Sequence, residues 1–221
     1  MNQYREGRGM SQQDFKNILI KIDLDGVIRN WNESLITEYK KRYSDRRVLY
    51  PFHDFDLRDS FPDEPDIVYF FKVEAAKEIY SNAKPYPKAI EFLEIMLSRY
   101  PNVWLVTTQF TNTAYPTIEW MQRYIPSYNN LPVVFSSAKG AVGNGKFERT
   151  ILIDDAPHNL NDQIKNGGIA LCFGQLYNNN HADSYRWESV FGGRDFSLEK
   201  EPERIQKQYE LILDYLKYDV H

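Results

Sequence analysis

The sequence predicts an α/β fold: a parallel sheet flanked by helices, with a small, mainly helical insertion after the first strand. Three observations carry this. Short apolar runs at Ile18–Ile22, Val103–Thr107, Pro132–Ser136, Ile151–Asp154 and Ile169–Phe173 are mostly continuous rather than alternating. That is the pattern of strands buried on both faces of a parallel sheet. Helical patterns separate several of these runs, and strands alternating with helices imply parallel pairing. Between the first run and the second, residues 31–84 break that rhythm.

Taken in order, the first strand runs into Asp23-Leu24-Asp25-Gly26. Residues 31–84 open with a helix bearing Leu35, Ile36, Tyr39 and Tyr43. They become rich in aromatics, proline and aspartate at Leu49-Tyr50-Pro51-Phe52-His53-Asp54-Phe55, then carry a helical patch from Ile67 to Tyr80. An insertion there sits over the carboxyl ends of the strands, where open α/β sheets bind ligands. Lys88 to Tyr100 sets Ile90, Leu93, Met96 and Leu97 on one helical face. Thr117 to Tyr124 carries Ile118, Trp120 and Met121 and stops before Pro126. Asn159 to Asn166 stops at Gly167-Gly168. Pro202 to Tyr218 aligns Ile205, Tyr209, Ile212 and Leu216, with Pro202 in the first turn. The chain thus divides into a polar segment, 1–16, with little to bury and expected to be disordered, a core of 17–30 and 85–221, and the insertion, 31–84.

Composition narrows the function. With 221 residues and 42% hydrophobic content, the chain suits one globular domain or a core with a modest insertion. A net charge of -4 argues against long nucleic acid as a ligand, although a local basic pocket stays open. The single cysteine, Cys172, lies in an apolar run and reads as a small buried hydrophobe. An internal disulfide is impossible, and a cysteine-based zinc site is not expected. Residues 1–17 have no apolar signal-peptide core, and no run approaches the length of a membrane span. A soluble cytoplasmic protein without a membrane partner is expected; a homodimer is left open.

The chemistry sits at strand ends. Ile22 leads directly into Asp23-Leu24-Asp25, two carboxylates one residue apart, which extended geometry sends to the same side. Their repulsion favours a divalent cation, and an all-oxygen site suits magnesium or calcium better than zinc. Alone, Asp-x-Asp reads as readily as a solvated turn. The second run ends in Thr107-Thr108, whose hydroxyls can hold a phosphate oxygen, but threonine is common in strands anyway. Past the third run, Lys139 can neutralise a phosphate or a carboxylate; alone it reads as a loop lysine, and Lys146 competes in the same Gly-rich stretch. The fourth run ends in Asp154-Asp155, and carboxylates rarely follow a buried strand so abruptly unless something charged meets them. Each element is bland; four of them in order at one sheet edge are not.

Asp-x-Asp, Thr, Lys and Asp-Asp in this order resemble the four motifs of the haloacid dehalogenase (HAD) superfamily, a Rossmann-like core with a cap after the first strand. The resemblance implies Asp23 as nucleophile and Asp25 as general acid, then base. Thr107, Thr108 and Lys139 would bind phosphate. Asp23, Asp25 (through its carbonyl) and Asp155 would hold Mg2+, with Asp154 in support. A closer similarity, to the 5′(3′)-deoxyribonucleotidase family, covers most of the chain. It rests on Asp23-Leu-Asp-Gly-Val-Ile-Arg-Asn-Trp31, Lys84-Pro-Tyr-Pro-Lys-Ala89, Ile151-Leu-Ile-Asp-Asp-Ala-Pro157, Ala170-Leu-Cys-Phe173, Tyr177-Asn178 and Trp187. It implies a magnesium-dependent phosphomonoesterase for nucleoside monophosphates, with Trp31 facing the nucleobase. Packing explains Trp31 equally well, and packing is the better reading of Phe52, Phe55 and Tyr80. Thr108-Gln109 departs from the Ser-Pro expected there. His53, His158 and His181 lack metal-ligand spacing. A phosphatase for a sugar phosphate or a polynucleotide 3′-phosphate, a catalytically silent binding domain, and a calcium-binding receiver-like or structural α/β protein are the rival readings.

Overall fold

A computed structural model describes residues 15–178 and 201–218. His181, Trp187 and most of the polar 1–16 segment lie outside the described residues.

The apolar runs form one parallel sheet of five strands in the order β5-β4-β1-β6-β7. These are β1 (Ile18–Ile22), β4 (Val103–Thr107), β5 (Val133–Phe135), β6 (Arg149–Asp154) and β7 (Ile169–Cys172). All five residues of β1 are buried, which is why the run shows no alternation. The chain steps from β1 outward to β4 and β5, then returns to the other side of β1 for β6 and β7. The strand order therefore reverses at β1, and open α/β sheets bind ligands at the carboxyl side of such a switch point. Ile22 is level with Leu105 on one side and Ile153 on the other. Asp23, Thr107 and Asp154 consequently leave the sheet on nearly the same transverse line.

Helices α4 (Ala89–Arg99), α5 (Thr111–Tyr124), α6 (Pro157–Lys165) and α7 (Glu201–Tyr218) cover the sheet. The α7 stripe Ile205, Tyr209, Ile212 and Leu216 is buried, and Tyr209 stacks on Phe92 of α4 at 4.6 Å. Helix α5 begins at Thr111, six residues before the apolar periodicity predicts. The Thr113 hydroxyl accepts from Phe110 N–H at 2.9 Å and fixes the start, and Pro116 lies within the second turn.

The inserted segment leaves and rejoins the core through a two-residue antiparallel ribbon, β2 (Arg29–Asn30) with β3 (Lys84–Pro85). It contains α1 (Trp31–Arg42), whose N-cap Asn30 accepts from Glu33 N–H. The patch from Ile67 to Tyr80 is not one helix. It is α2 (Ile67–Tyr69), a π-helical turn at Phe70–Glu74 and α3 (Ala76–Asn82), with the break at Ala75. The wider turn buries Phe70 while Phe71 and Lys72 line a cavity, and periodicity counting cannot anticipate that. The cap has its own apolar cluster, Leu35, Tyr39, Phe52, Phe61, Phe70 and Ile79 among it, separate from that of the sheet. Among the described residues, no helix is long and apolar enough to cross a membrane.

Candidate active site

The carboxyl edge of the sheet gathers the predicted groups. Asp23 is buried one residue past β1 and accepts from Leu24 N–H at 2.7 Å. Lys139, buried in the 3-10 turn Lys139–Ala141, places its ammonium 2.7 Å from Asp23 and 2.9 Å from Asp154. Asp154 also accepts from Ala156 N–H at 2.8 Å and from the Asn159 amide at 3.1 Å. The Asp155 carboxylate accepts from the Tyr177 hydroxyl, and its carbonyl from Asn178 at 2.7 Å. Carboxylate oxygens of Asp23, Asp154 and Asp155 lie within 4.8 Å of one another.

Gly26 makes this approach feasible. Its φ is +81°, and a Cβ there would lie 2.0 Å from Asp155 Oδ2. Only glycine fits both the left-handed turn and the space.

Three buried carboxylates share one ammonium. Burial pushes the Asp23 carboxyl up to about 7, with Lys139 opposing and the charges of Asp154 and Asp25 adding to the rise. Burial, then the charges of Asp154 and Asp23, pushes Asp155 well above the carboxylate range. Burial alone would lower Lys139, but Asp154 and Asp23 hold it above the usual lysine value. Such a site is deficient in positive charge. Its hard oxygen donors, closely set and buried, fit a small divalent cation.

Asp25 is arranged differently. Its carboxylate turns to Arg29, which donates Nε to Oδ1 at 2.6 Å and Nη2 to Oδ2 at 2.9 Å, and to Gln109, which donates to Oδ2 at 3.1 Å. Its side chain is not one of the three that cluster. Thr107 is buried at the end of β4, and its hydroxyl accepts from Gln109 at 3.1 Å. Thr108 lies beside it and donates to the Ser136 carbonyl at 3.0 Å. Lys146 lies apart, over the rings of Trp104 and Phe147.

A cavity of about 410 Å³ opens between this edge and the cap. Asp23, Asp25, Thr107, Thr108, Lys139 and Asp155 line its floor. Its upper wall is apolar and aromatic, with Trp31, Phe52, Phe55, Phe71 and Tyr80. Trp31 meets Phe71 edge-on at 5.2 Å. Of the two described histidines, His53 and His158, His158 reaches the cavity, against the Phe55 ring.

Two residues at the site escape a motif-based reading. Lys21 sits in the middle of β1, yet its ammonium is buried and donates to the carbonyls of Lys139, Gly140 and Val142 at 2.8–3.2 Å. It thereby fixes the turn that carries Lys139, and burial pushes it down to about 8. Arg29, also buried, holds Asp25. Lys21 is a charge inside the otherwise apolar run Ile18–Ile22, and Arg29 is a charge directly after the apolar pair Val27-Ile28. That is the signal that could have found them.

The family model for "5′ nucleotidase, deoxy (pyrimidine), cytosolic type C protein" matches residues 16–198. None of the curated proteins matches in sequence. Among solved structures, the chain is similar to a haloacid dehalogenase-like hydrolase from Streptococcus pneumoniae, at 16% identity over 77% of this chain and 91% of that one, with a TM-score of 0.56. It is also similar to a phosphonoacetaldehyde hydrolase-like protein from Oleispira antarctica, at 11% identity over 88% and 84%, TM-score 0.47. L-2-haloacid dehalogenase from Xanthobacter autotrophicus matches at 10% identity over 86% and 98%, TM-score 0.42. At 16% identity the first likeness is one of fold.

Proposed function

This chain belongs to the family of cytosolic type C 5′ (deoxy, pyrimidine) nucleotidases, and on that premise we propose that it is a magnesium-dependent phosphomonoesterase for (deoxy)nucleoside monophosphates, acting through a phospho-aspartate on Asp23. The observation that carries the reading is Asp23 itself: a buried carboxylate at the switch point, bridged by Lys139, on the floor of an aromatic-walled cavity.

Asp23 attacks phosphorus in line, and the ester oxygen departs. Lys139 offsets charge on the phosphoryl oxygens, and the Thr107 and Thr108 hydroxyls orient them. Asp25 delivers a proton to the departing oxygen, then takes one from the water that hydrolyses the acyl phosphate. Asp23 and Asp155, with the Asp25 carbonyl and support from Asp154, would hold Mg2+, which neutralises phosphoryl charge when bound. A family carried by a (deoxy)nucleotide substrate and a wall of Trp31, Phe71 and Tyr80 both favour a planar base over a bare sugar phosphate.

The test is phosphate release from deoxy- and ribonucleoside monophosphates and from sugar phosphates, with magnesium and with EDTA, beside Asp23→Asn. Magnesium-dependent release from nucleotides, lost in Asp23→Asn, is expected. Release from sugar phosphates alone would keep the mechanism and discard the substrate; no release from any would overturn both.

A further inference from the structure

We infer that Arg29 is the positioning residue that aims Asp25, and that it leaves one oxygen of Asp25 to carry the proton. This rests on the phosphatase reading above. Arg29 lies at the neck of the cap, in β2, and is fully buried. Its guanidinium is held on all sides. Nη1 donates to the Tyr80 carbonyl at 3.0 Å, and Nη2 to Thr117 Oγ1 at 3.2 Å. The rings of Tyr80 and Trp120 lie 5.1 and 5.3 Å from its centre. Trp120 is itself fixed by a 2.6 Å bond to the Ala83 carbonyl.

A guanidinium so confined presents a fixed fork to Asp25. A carboxylate has about four lone-pair positions. The Arg29 fork takes one on each oxygen, and Gln109 takes the second on Oδ2. The position left is on Oδ1. Asp25 keeps 24% of its side chain exposed, and it lines the cavity; on this inference the remaining lone pair is the one offered to a substrate. Gln109 is in turn oriented by a bond from Thr117, the same hydroxyl that Arg29 contacts. In the first half-reaction, the Asp23–phosphorus bond forms and the phosphorus–ester oxygen bond breaks. The proton on Oδ1 goes to that oxygen. In the second, water attacks phosphorus, the Asp23–phosphorus bond breaks and Oδ1 recovers a proton. Arg29 touches neither substrate nor phosphorus; it acts through Asp25.

A purely structural Arg29 would, when replaced, slow every substrate alike. A positioning Arg29 matters where the leaving oxygen needs a proton. The experiment is single-turnover release of the leaving group from a deoxynucleoside monophosphate and from p-nitrophenyl phosphate, whose nitrophenolate departs without protonation. Wild type, Asp25→Asn, Arg29→Met and Arg29→Lys are compared, with thermal midpoints alongside. Loss of aim is expected to slow nucleotide cleavage roughly 10- to 100-fold in Arg29→Met, with p-nitrophenyl phosphate slowed less than about threefold. Arg29→Lys, which keeps charge without the fork, should show the same split at smaller size, and it carries the test if Arg29→Met does not fold. Asp25→Asn sets the limit of the split. Equal slowing of both substrates, or no slowing, in an active background overturns the inference. A wild type that cleaves neither substrate overturns the phosphatase reading instead.

Discussion

The sheet and the cap are stabilised by different side chains and answer different questions. The sheet core is aliphatic and regular: Ile18, Ile20, Ile22, Leu105, Ile151 and Ile153 are buried on strands whose register fixes where each chain end emerges. The cap core is aromatic and irregular. Tyr39, at its centre, meets Phe61 at 4.9 Å and Phe70 at 5.2 Å, both edge-on. Register places carboxylates to within a few tenths of an ångström, which covalent phosphoryl transfer requires. Edge-to-face rings on short helices give a wall whose shape depends on many contacts at once. Under the proposed function, the chemistry is built on the sheet and the choice of substrate on the cap.

The largest effects should come from breaking the sheet side. Asp23→Asn is expected to cut turnover on the order of 10⁴-fold or more in a protein that still folds. A variant with substantial activity would move the nucleophile elsewhere. Gly26→Ala should rank next. The new Cβ must displace the Asp155 carboxylate and sits at positive φ, at a cost of about 1–2 kcal/mol for the backbone alone. Loss of magnesium-induced stabilisation together with activity is the expected result. Retention of both would mean that Asp155 has room to move.

Protons and a cation should compete for the same site. Asp23 and Asp155 have raised values in the folded chain, so between about pH 4 and 7 the folded state binds more protons than the unfolded one. Metal-free stability then falls as pH rises through that window. Magnesium bound at the cluster would remove the penalty by replacing the protons, so its upward shift of the melting temperature should be larger at pH 8 than at pH 5. An equal shift at both values would place the ion outside the aspartate cluster.

The same division explains what was legible beforehand. Continuous apolar runs fix strands, and strand ends carry Asp23, Thr107, Lys139 and Asp155, so the sheet edge could be read one motif at a time. The cap could not. Its π turn changes which residues face inward, so Phe71 and Lys72 reach the cavity from a stretch that reads as plain helix. Arg29 and Lys21 were missed for another reason. Motif reading attends to carboxylates and lysines at the ends of the sheet strands, whereas Lys21 lies inside an apolar run and Arg29 directly after a short one, and their partners are backbone carbonyls and a carboxylate brought up by the fold.

Smaller effects should come from the cap. Trp31→Ala is expected to raise KM for a deoxynucleoside monophosphate by about 10-fold, the scale of one base–aromatic stack. KM for deoxyribose 5-phosphate, which lacks a base, should stay within about twofold. Parallel change in both, with a lowered melting temperature, would assign Trp31 to packing against Phe71 and Tyr80 and remove it from base recognition.

The smallest effect tests how far the sheet edge extends. Lys146 follows Gly145 in the loop that leads from Lys139 to β6, and its ammonium lies over the Trp104 and Phe147 rings, while Lys139 bridges Asp23 and Asp154. Exposed cation–π contacts are worth about 0.5–1 kcal/mol, so Lys146→Ala should lower the melting temperature slightly and leave kcat/KM within about twofold. Lys139→Met removes the ammonium that bridges Asp23 and Asp154, and its loss of activity should exceed that of Lys146→Ala by on the order of 10²-fold or more. Were Lys146→Ala the more damaging change, the Gly-rich loop would have to swing its lysine into the cavity during turnover, and the division between a rigid sheet edge and an adaptable cap would fail at that loop.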